Sequence, residues 1–184
     1  FAGAFLAAAV AFLAVPLAMW LGSLMPWLDA ETLGPNRLEH YAFAYGALAL
    51  PNVFLTAAIF FAVATVTRSM MYSYVGVVVF LVGYLVLVGL VGSRPELRET
   101  VAYIEPFGIG AVSTATRYWT AAESNLMVPP LDGVLLANRA LAIGVGLVAL
   151  AFAYWRFSFA EKGMSKRKLR RQAKTEAKLG RDAP

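Results

Sequence analysis

The sequence of 184 residues contains no cysteine and a single histidine. The lack of cysteine excludes disulfide bonds, a cysteine nucleophile and thiolate metal ligands, and one histidine argues against a histidine-rich metal site. Charged residues are scarce as well, at 15% of the chain against about 25% in soluble domains. Hydrophobic residues make up 60%, and a soluble domain of this size does not bury so much apolar surface. We therefore expect an integral membrane protein.

Four long runs of the sequence are almost free of charged residues. They cover about residues 1–27, 41–67, 72–93 and 133–157. About 20 apolar residues at 1.5 Å each cross a hydrocarbon core about 30 Å thick, so each run is long enough. Such runs form helices in lipid, because an unpaired backbone group is costly there, and they lack the alternation of barrel strands. We therefore predict an all-α integral membrane protein with four transmembrane helices.

Lysine and arginine are concentrated near the C-terminal end. Ten of the sixteen lie between Arg156 and Arg181, directly after the fourth run. Basic residues next to a span stay on the cytoplasmic side, which predicts a membrane domain over 1–159 and a cytoplasmic basic tail or linker over 160–184. This bias explains the basic charge without a nucleic-acid partner. With four spans, residues 29–40 and 94–132 are then outside.

The segment 94–132 is too long for a simple connector between the third and fourth runs. Apolar residues recur at helical spacing on both sides of the Glu-Pro-Phe-Gly break at 105–108, which predicts two short amphipathic helices on the outside. Tyr118 and Trp119 are aromatic residues of the kind found at headgroup depth. Two interpretations stay open, an interfacial or re-entrant hairpin and a plain surface cap.

A few residues interrupt the apolar runs and are candidates for shaping helices or lining a path. Pro51 removes a helical hydrogen bond and predicts a kink, and Asn52 beside it can bond a freed carbonyl or a neighbouring helix. Arg139 is the charge that lies well inside a run, at a cost of roughly 2.5–3.5 kcal/mol at mid-bilayer and less near an interface. It either anchors its helix, by snorkelling or by pairing with Glu123 or Asp132, or faces a substrate.

No enzyme signature is present in the sequence. There is no phosphate-binding loop, no zinc-protease motif and no nucleophile elbow of the hydrolase type. The acidic residues lie mostly in the outer segments, and no spacing pairs them. We therefore assign no catalytic, cofactor-binding or metal-binding residue. An integral membrane enzyme that uses Glu105, Glu123 and Asp132 is the weakest hypothesis.

Several short motifs occur in an order that resembles a known family. They are LPN at 50–52, TRS at 67–69, EPFG at 105–108, TRYWTAAESN at 116–125, VPPLDG at 128–133, NR at 138–139 and YWRF at 154–157. In this order they resemble the transmembrane part of an ATP-binding-cassette export permease of the second type. The resemblance is strongest to the bacterial permeases that are fused to a zinc aminopeptidase-like domain.

The resemblance implies a function, a location and partners. The family has six-helix halves, of which the four predicted spans would be the last four. It implies a homo- or heterodimer of permease halves in the bacterial inner membrane, with a translocation path and a separate ATPase. No cofactor or activity of its own is then expected in this chain, and Phe1 is expected to follow further sequence. The alternative is a membrane anchor or assembly module for an attached peptidase-like domain.

Overall fold

The computed structural model describes residues 1–28 and 34–157, and within these ranges the chain forms helices and no β-strand. The elements are α1 (Ala2–Phe12), α2 (Ala14–Ser23), α3 (Leu38–Phe43), a π-helical turn (Ala44–Ala49), α4 (Leu50–Thr67), α5 (Met70–Ser93), a 3-10 turn (Pro95–Leu97), α6 (Arg98–Ile104), α7 (Ile109–Ala115), α8 (Ala121–Leu126) and α9 (Gly133–Arg156). The predicted tail 160–184 lies outside the described residues.

Four helices of the described ranges are long and apolar enough to cross a membrane, which confirms the predicted all-α class and the predicted number of helices able to span. They are Ala2–Ser23, Leu38–Thr67, Met71–Ser93 and Gly133–Arg156. The first ends before residue 27 because Pro26 disfavours helical backbone at the residue before it. The second begins before residue 41 because the helix dipole favours Glu39, an acidic residue in the first turn.

The core of the bundle lies between α4 and α9, which pack against each other along most of their length. Ala58 of α4 and Leu135 of α9 are completely buried. Gly146 allows the close approach, because a β-carbon at this position would lie 2.6 Å from the ring of Phe54. Small residues let membrane helices pack by van der Waals contact, which is the main attraction between helices in lipid.

The helices α1 and α5 lie on the outside of this pair. Phe5 of α1 meets the ring of Phe54 edge to face at 5.8 Å, and Phe80 of α5 meets the ring of Phe60 at 6.0 Å. Most of the remaining surface of α5 is apolar and exposed. Surface of this kind is stable next to lipid tails, which are as apolar as leucine side chains.

Two prolines coincide with irregular helix. Proline has no N–H for the carbonyl four residues earlier and clashes with it. For Pro16 that residue is Phe12, where α1 ends and the helix is interrupted before α2. For Pro51 it lies within the π-helical turn Ala44–Ala49, so the distortion comes one turn before the proline and α4 continues through it.

Three short α-helices connect α5 to α9, and the prediction of two is wrong. The second predicted helix is divided because Thr120 starts α8 with a capping box. Its hydroxyl accepts from the Glu123 amide at 3.2 Å, and its own amide donates to the Glu123 carboxylate at 2.7 Å. At the same end of the bundle, the Arg37 guanidinium donates to the Leu126 carbonyl at 2.7 Å. These helices therefore sit at the end that carries the start of α3, opposite the α4–α5 turn.

Candidate functional site

Buried polar side chains gather where α4, α9 and the 105–110 turn meet. Glu105, Asn138 and Arg139 are 3%, 1% and 3% exposed, and the half-buried Asn52 joins them. We call these four residues the polar cluster. Burying polar groups is favourable only when they are hydrogen-bonded, so the partners of each group decide what the cluster does.

Asn138 of α9 caps the C-terminal end of α6. Its amide nitrogen donates to the carbonyls of Ala102, Tyr103 and Glu105 at 3.0, 2.9 and 2.7 Å. The last carbonyls of a helix have no partner within the helix and must find one elsewhere. A side chain from a spanning helix supplies that partner here, and it ties α6 to α9.

Arg139 connects the two central helices to the turn. Its Nη1 donates to Asn52 Oδ1 at 2.8 Å, its Nε donates to Asn138 Oδ1 at 3.0 Å, and its Nη2 donates to Asn138 Oδ1 and to the Pro106 carbonyl. The fixed fork of guanidinium donors suits several acceptors at once. Asn52 in turn donates to the Phe107 carbonyl at 3.0 Å. The cluster thus clamps the 105–108 turn onto α4 and α9.

Glu105 folds the turn on itself. Its two carboxylate oxygens accept from the backbone amides of Phe107 and Gly110 at 2.9 and 2.8 Å. Gly108 within the turn has φ +80°, a conformation that side chains disfavour, and a β-carbon there would lie 2.5 Å from Arg139 Cζ. Both the backbone angle and the guanidinium therefore require glycine at this position.

The cluster holds one buried cation and one buried anion without a direct ion pair between them. Among the described residues, the ion pair within 4.0 Å is Arg37–Glu39, at 2.9 Å on the surface. Arg139 bonds to neutral oxygens, and Glu105 bonds to backbone amides. Their opposite charges still attract through the weakly screening interior, which offsets part of the cost of burying both.

The candidate residues taken from the sequence fall into two groups. Asn52 and Arg139 meet in the polar cluster, and the buried Pro51 precedes Asn52 on α4. Glu123 lies apart on α8, where the hydrogen bonds from the Thr120 backbone and side chain lower the pKa of its carboxyl. The guanidinium of Arg139 is buried, so it does not snorkel outward.

The pairing of Arg139 with Glu123 or Asp132 is wrong for the described structure. The oxygens of Asn52 and Asn138 are within reach of the guanidinium, whereas the Glu123 carboxylate is held by Thr120.

Of the two predicted interfacial aromatics, Tyr118 is 87% exposed and Trp119 is half-buried. The Arg117 guanidinium lies 5.6 Å from the centre of the Tyr118 ring.

Three residues of the site were not singled out for it from the sequence. In the sequence all three belong to motifs of the family resemblance, and Glu105 and Gly108 also belong to the predicted helix break, but neither role predicts that they meet in one cluster. One signal was present, since Asn138 and Arg139 are adjacent polar residues within a run that is otherwise apolar. Isolated polar residues in a span are expected to find partners within the protein.

An apolar groove lies beside the cluster, between α5 and α9 with α4 as its floor. Its volume is about 340 Å³. Ile104, Glu105 and Pro106 close one end, where Tyr84 and Asn138 also line it. The Tyr84 ring packs edge to face against Phe107 at 4.7 Å. The groove is thus apolar along its length and polar at the end that adjoins the cluster.

The cluster is built for holding helices together. The hydrogen-bonding groups described above have partners within the chain, and no group of three or more His, Asp or Glu suited to a metal ion occurs in the described part of the chain.

Comparisons with protein-family models, with curated proteins and with solved structures found no match for this chain.

Proposed function

We propose that this chain belongs to a membrane-spanning permease subunit of an ATP-binding-cassette transporter. It forms part of a translocation path that a separate ATPase powers. One observation supports the proposal. Three of the motifs on which the resemblance rests, at 50–52, 105–108 and 138–139, are far apart in the sequence and meet in the polar cluster. Because these motifs contact one another, they form one structural element of this chain, and this supports reading the resemblance as more than a set of unrelated short matches.

In this proposal the protein is multi-pass in a bacterial inner membrane. The lysine-rich tail favours a cytoplasmic C-terminal side, and in that orientation the helices α6 to α8 form an extracytoplasmic cap. The polar cluster fixes the cap to α4 and α9, so that these helices and the cap move as one body. Such a body is suited to alternate between two arrangements against a second permease half.

The exposed apolar helices have a role in the same proposal. α1, α2 and α5 carry many large apolar side chains on their surface, among them Trp20, Val79 and Leu85. These surfaces meet lipid and the remaining helices of a homo- or heterodimer of permease halves. No part of the proposal requires a catalytic group in this chain.

The test is association with an ATPase in the full protein that contains this chain. We expect a cytosolic ATP-binding-cassette subunit to co-purify from detergent, and ATP hydrolysis by the complex to rise with the cargo. Arg139→Leu breaks the clamp and should lower the cargo stimulation, whereas Arg117→Leu on the exposed surface should not. A protein that never co-purifies with an ATPase contradicts the proposal.

The alternative is a membrane anchor for an attached peptidase-like domain. It is favoured by the hydrogen bonds within the polar cluster, which join α4, α6 and α9 and use the polar groups of the cluster inside the protein. The two functions differ in how they respond to replacement of the four helices by unrelated spans. An anchor keeps the activity of the attached domain after replacement, whereas a permease loses transport.

A further inference from the structure

The two halves of the first span are held to the bundle in different ways. In α1, the Phe5 ring meets the ring of Phe54 on α4 edge to face at 5.8 Å, and Ala9 is buried. The Tyr45 hydroxyl donates to the Ala9 carbonyl at 2.7 Å. In α2, all of whose residues the structure describes, none is buried. The core therefore holds α1 in place and leaves α2 at its surface.

The two halves meet at a proline break. Pro16 has no N–H for the carbonyl of Phe12, and the helix is interrupted at Leu13, between α1 and α2. Helices bend at prolines, because the missing hydrogen bond lowers the resistance to bending. From Leu13 to Ser23, α2 extends by ten residues, or about 15 Å. A change of about 20° at the break therefore moves the far end of α2 by about 5 Å.

A short chain of hydrogen bonds joins the far end of α2 to the start of α3. The Tyr41 hydroxyl donates to Asn36 Oδ1 at 2.7 Å, and Asn36 Nδ2 donates to Ser23 Oγ at 2.6 Å. The Ser23 hydroxyl in turn donates to the Trp20 carbonyl within α2 at 2.6 Å. Asn36 is exposed and precedes Leu38, where the second span begins, so water competes for these bonds. The connection is therefore reversible.

Between the break and these hydrogen bonds, α2 does not pack closely against α3. A cavity of about 520 Å³ separates the two helices, with Leu17 and Trp20 on one side and Leu38 and Tyr45 on the other. Close packing is what fixes one helix on another, as it does for α4 and α9. The helix α2 is thus fixed at its ends and not along its length.

We propose that α2 is a hinged flap with a hydrogen-bonded latch. The hinge is the break between Leu13 and Pro16, and the latch consists of Ser23, Asn36 and Tyr41. When the latch opens, α2 swings away from α3 while α1 stays on α4. The flap does not depend on the proposed transport function, because it requires only the described helices in a bilayer.

The test measures distances by double electron–electron resonance in the full chain, reconstituted in lipid nanodiscs. A spin label at Leu21→Cys on α2 reports the flap, and a label at Leu6→Cys on α1 is the matched control. Each is paired in turn with a label at Val148→Cys on α9 and at Val78→Cys on α5, so that motion in different directions is detected. All four side chains are more than half exposed, so the labels replace no core contact.

The flap label should show two distances and the control label one. Leu21 lies eight residues, or about 12 Å, beyond Leu13, so the two distances should differ by up to about 4 Å. The control label lies on the half of the span that the core holds. Its distances to both references should therefore stay narrow.

Tyr41→Phe and Tyr74→Phe are a matched pair of variants, because each removes one hydroxyl. Tyr41→Phe weakens the latch and should raise the ratio of the open to the closed distance about fivefold, the factor for roughly one neutral hydrogen bond. Tyr74 is exposed on α5, and Tyr74→Phe should leave the ratio unchanged. Pro16→Ala restores the missing N–H and should narrow the flap distances toward a single value.

Three results would overturn the inference. The first is a single distance of equal width for both labels, in the native sequence and in Tyr41→Phe, which means that α2 is fixed. The second is equal broadening of both labels, which means that the first span moves as a whole. The third is an equal effect of Tyr41→Phe and Tyr74→Phe. The comparison of the two labels leaves the hinge unchanged, so it decides the matter even if Pro16→Ala does not fold.

Discussion

The substitution Asn138→Leu removes the amide donor and also the Oδ1 acceptor of Arg139, without changing the size of the side chain greatly. In the structure the amide nitrogen serves three carbonyls, those of Ala102, Tyr103 and Glu105, and the side chain is 1% exposed. Leucine leaves these carbonyls buried without that donor. The two hydrogens of the amide account for two full bonds, and each unpaired buried acceptor costs about 1–3 kcal/mol. We therefore expect the unpaired carbonyls to lower the free energy of unfolding by about 2–6 kcal/mol, and the lost Oδ1 acceptor of the buried Arg139 to lower it further.

The assay is reversible unfolding in mixed micelles at increasing fractions of sodium dodecyl sulfate, followed by tryptophan fluorescence. Asn125→Leu is the matched control, because Asn125 is exposed on α8 and the same change there should stay within about 0.5 kcal/mol. If Asn138→Leu unfolds with the same free energy as the control, the carbonyls at the end of α6 have other partners. The account of Asn138 as a helix cap is then refuted.

Three further changes test other parts of the site. Gly108→Ala should cost about 2 kcal/mol or more in the same assay, since it combines a left-handed backbone with overlap on the guanidinium, whereas Gly89→Ala should not destabilise. Arg139→Lys should lower the free energy of unfolding by about 1–3 kcal/mol, because lysine lacks the fork that reaches three acceptors; an unchanged value contradicts this. Thr120→Val should raise the depressed pKa of Glu123 part of the way toward its ordinary value in a carbon-13 titration, because the larger contribution, from the Thr120 backbone amide, remains; an unmoved pKa contradicts the hydrogen bond from the Thr120 hydroxyl.

The lowered pKa of Glu123 also makes the stability of α8 depend on pH. A carboxyl whose pKa is lower in the folded state stabilises that state above its ordinary pKa of 4.5. This contribution is lost as the pH falls through the lower, folded-state pKa. Hydrogen exchange of the α8 amides should therefore be slow near neutral pH and lose protection in acid beyond the intrinsic pH effect.

The four helices could be predicted from the sequence because the signal is local and repeated. Each run is apolar over the length that a bilayer requires, and no single residue decides it. The capping box of Thr120 and Glu123 was equally local, with an acid three residues after a threonine, and it would have divided the second outer helix in two. The start of α8 at Thr120 could therefore have been predicted from the sequence, but the prediction of one continuous second helix ignored it.

The polar cluster could be predicted only in part. Asn138 bonds carbonyls that lie 33 to 36 residues away, and Arg139 bonds Asn52 at a separation of 87 residues. These partners depend on the register of α9 against α4 and α6, which close packing around Gly146 sets and which composition does not encode. Arg139 could therefore be identified from the sequence as an unusual charge within a span. The prediction that it pairs with an acidic residue was wrong, because the neutral oxygens of Asn52 and Asn138 accept its hydrogen bonds.

The most direct test of the central claim is the sidedness of the chain in a membrane. These 184 residues contain no cysteine, so single cysteines can be introduced at Ser124 on α8 and at Ser69 between α4 and α5. In intact cells, a maleimide that does not cross membranes should label Ser124→Cys, and should label Ser69→Cys only after permeabilisation. Labelling of both positions from the same side would contradict a four-span bundle with its cap outside.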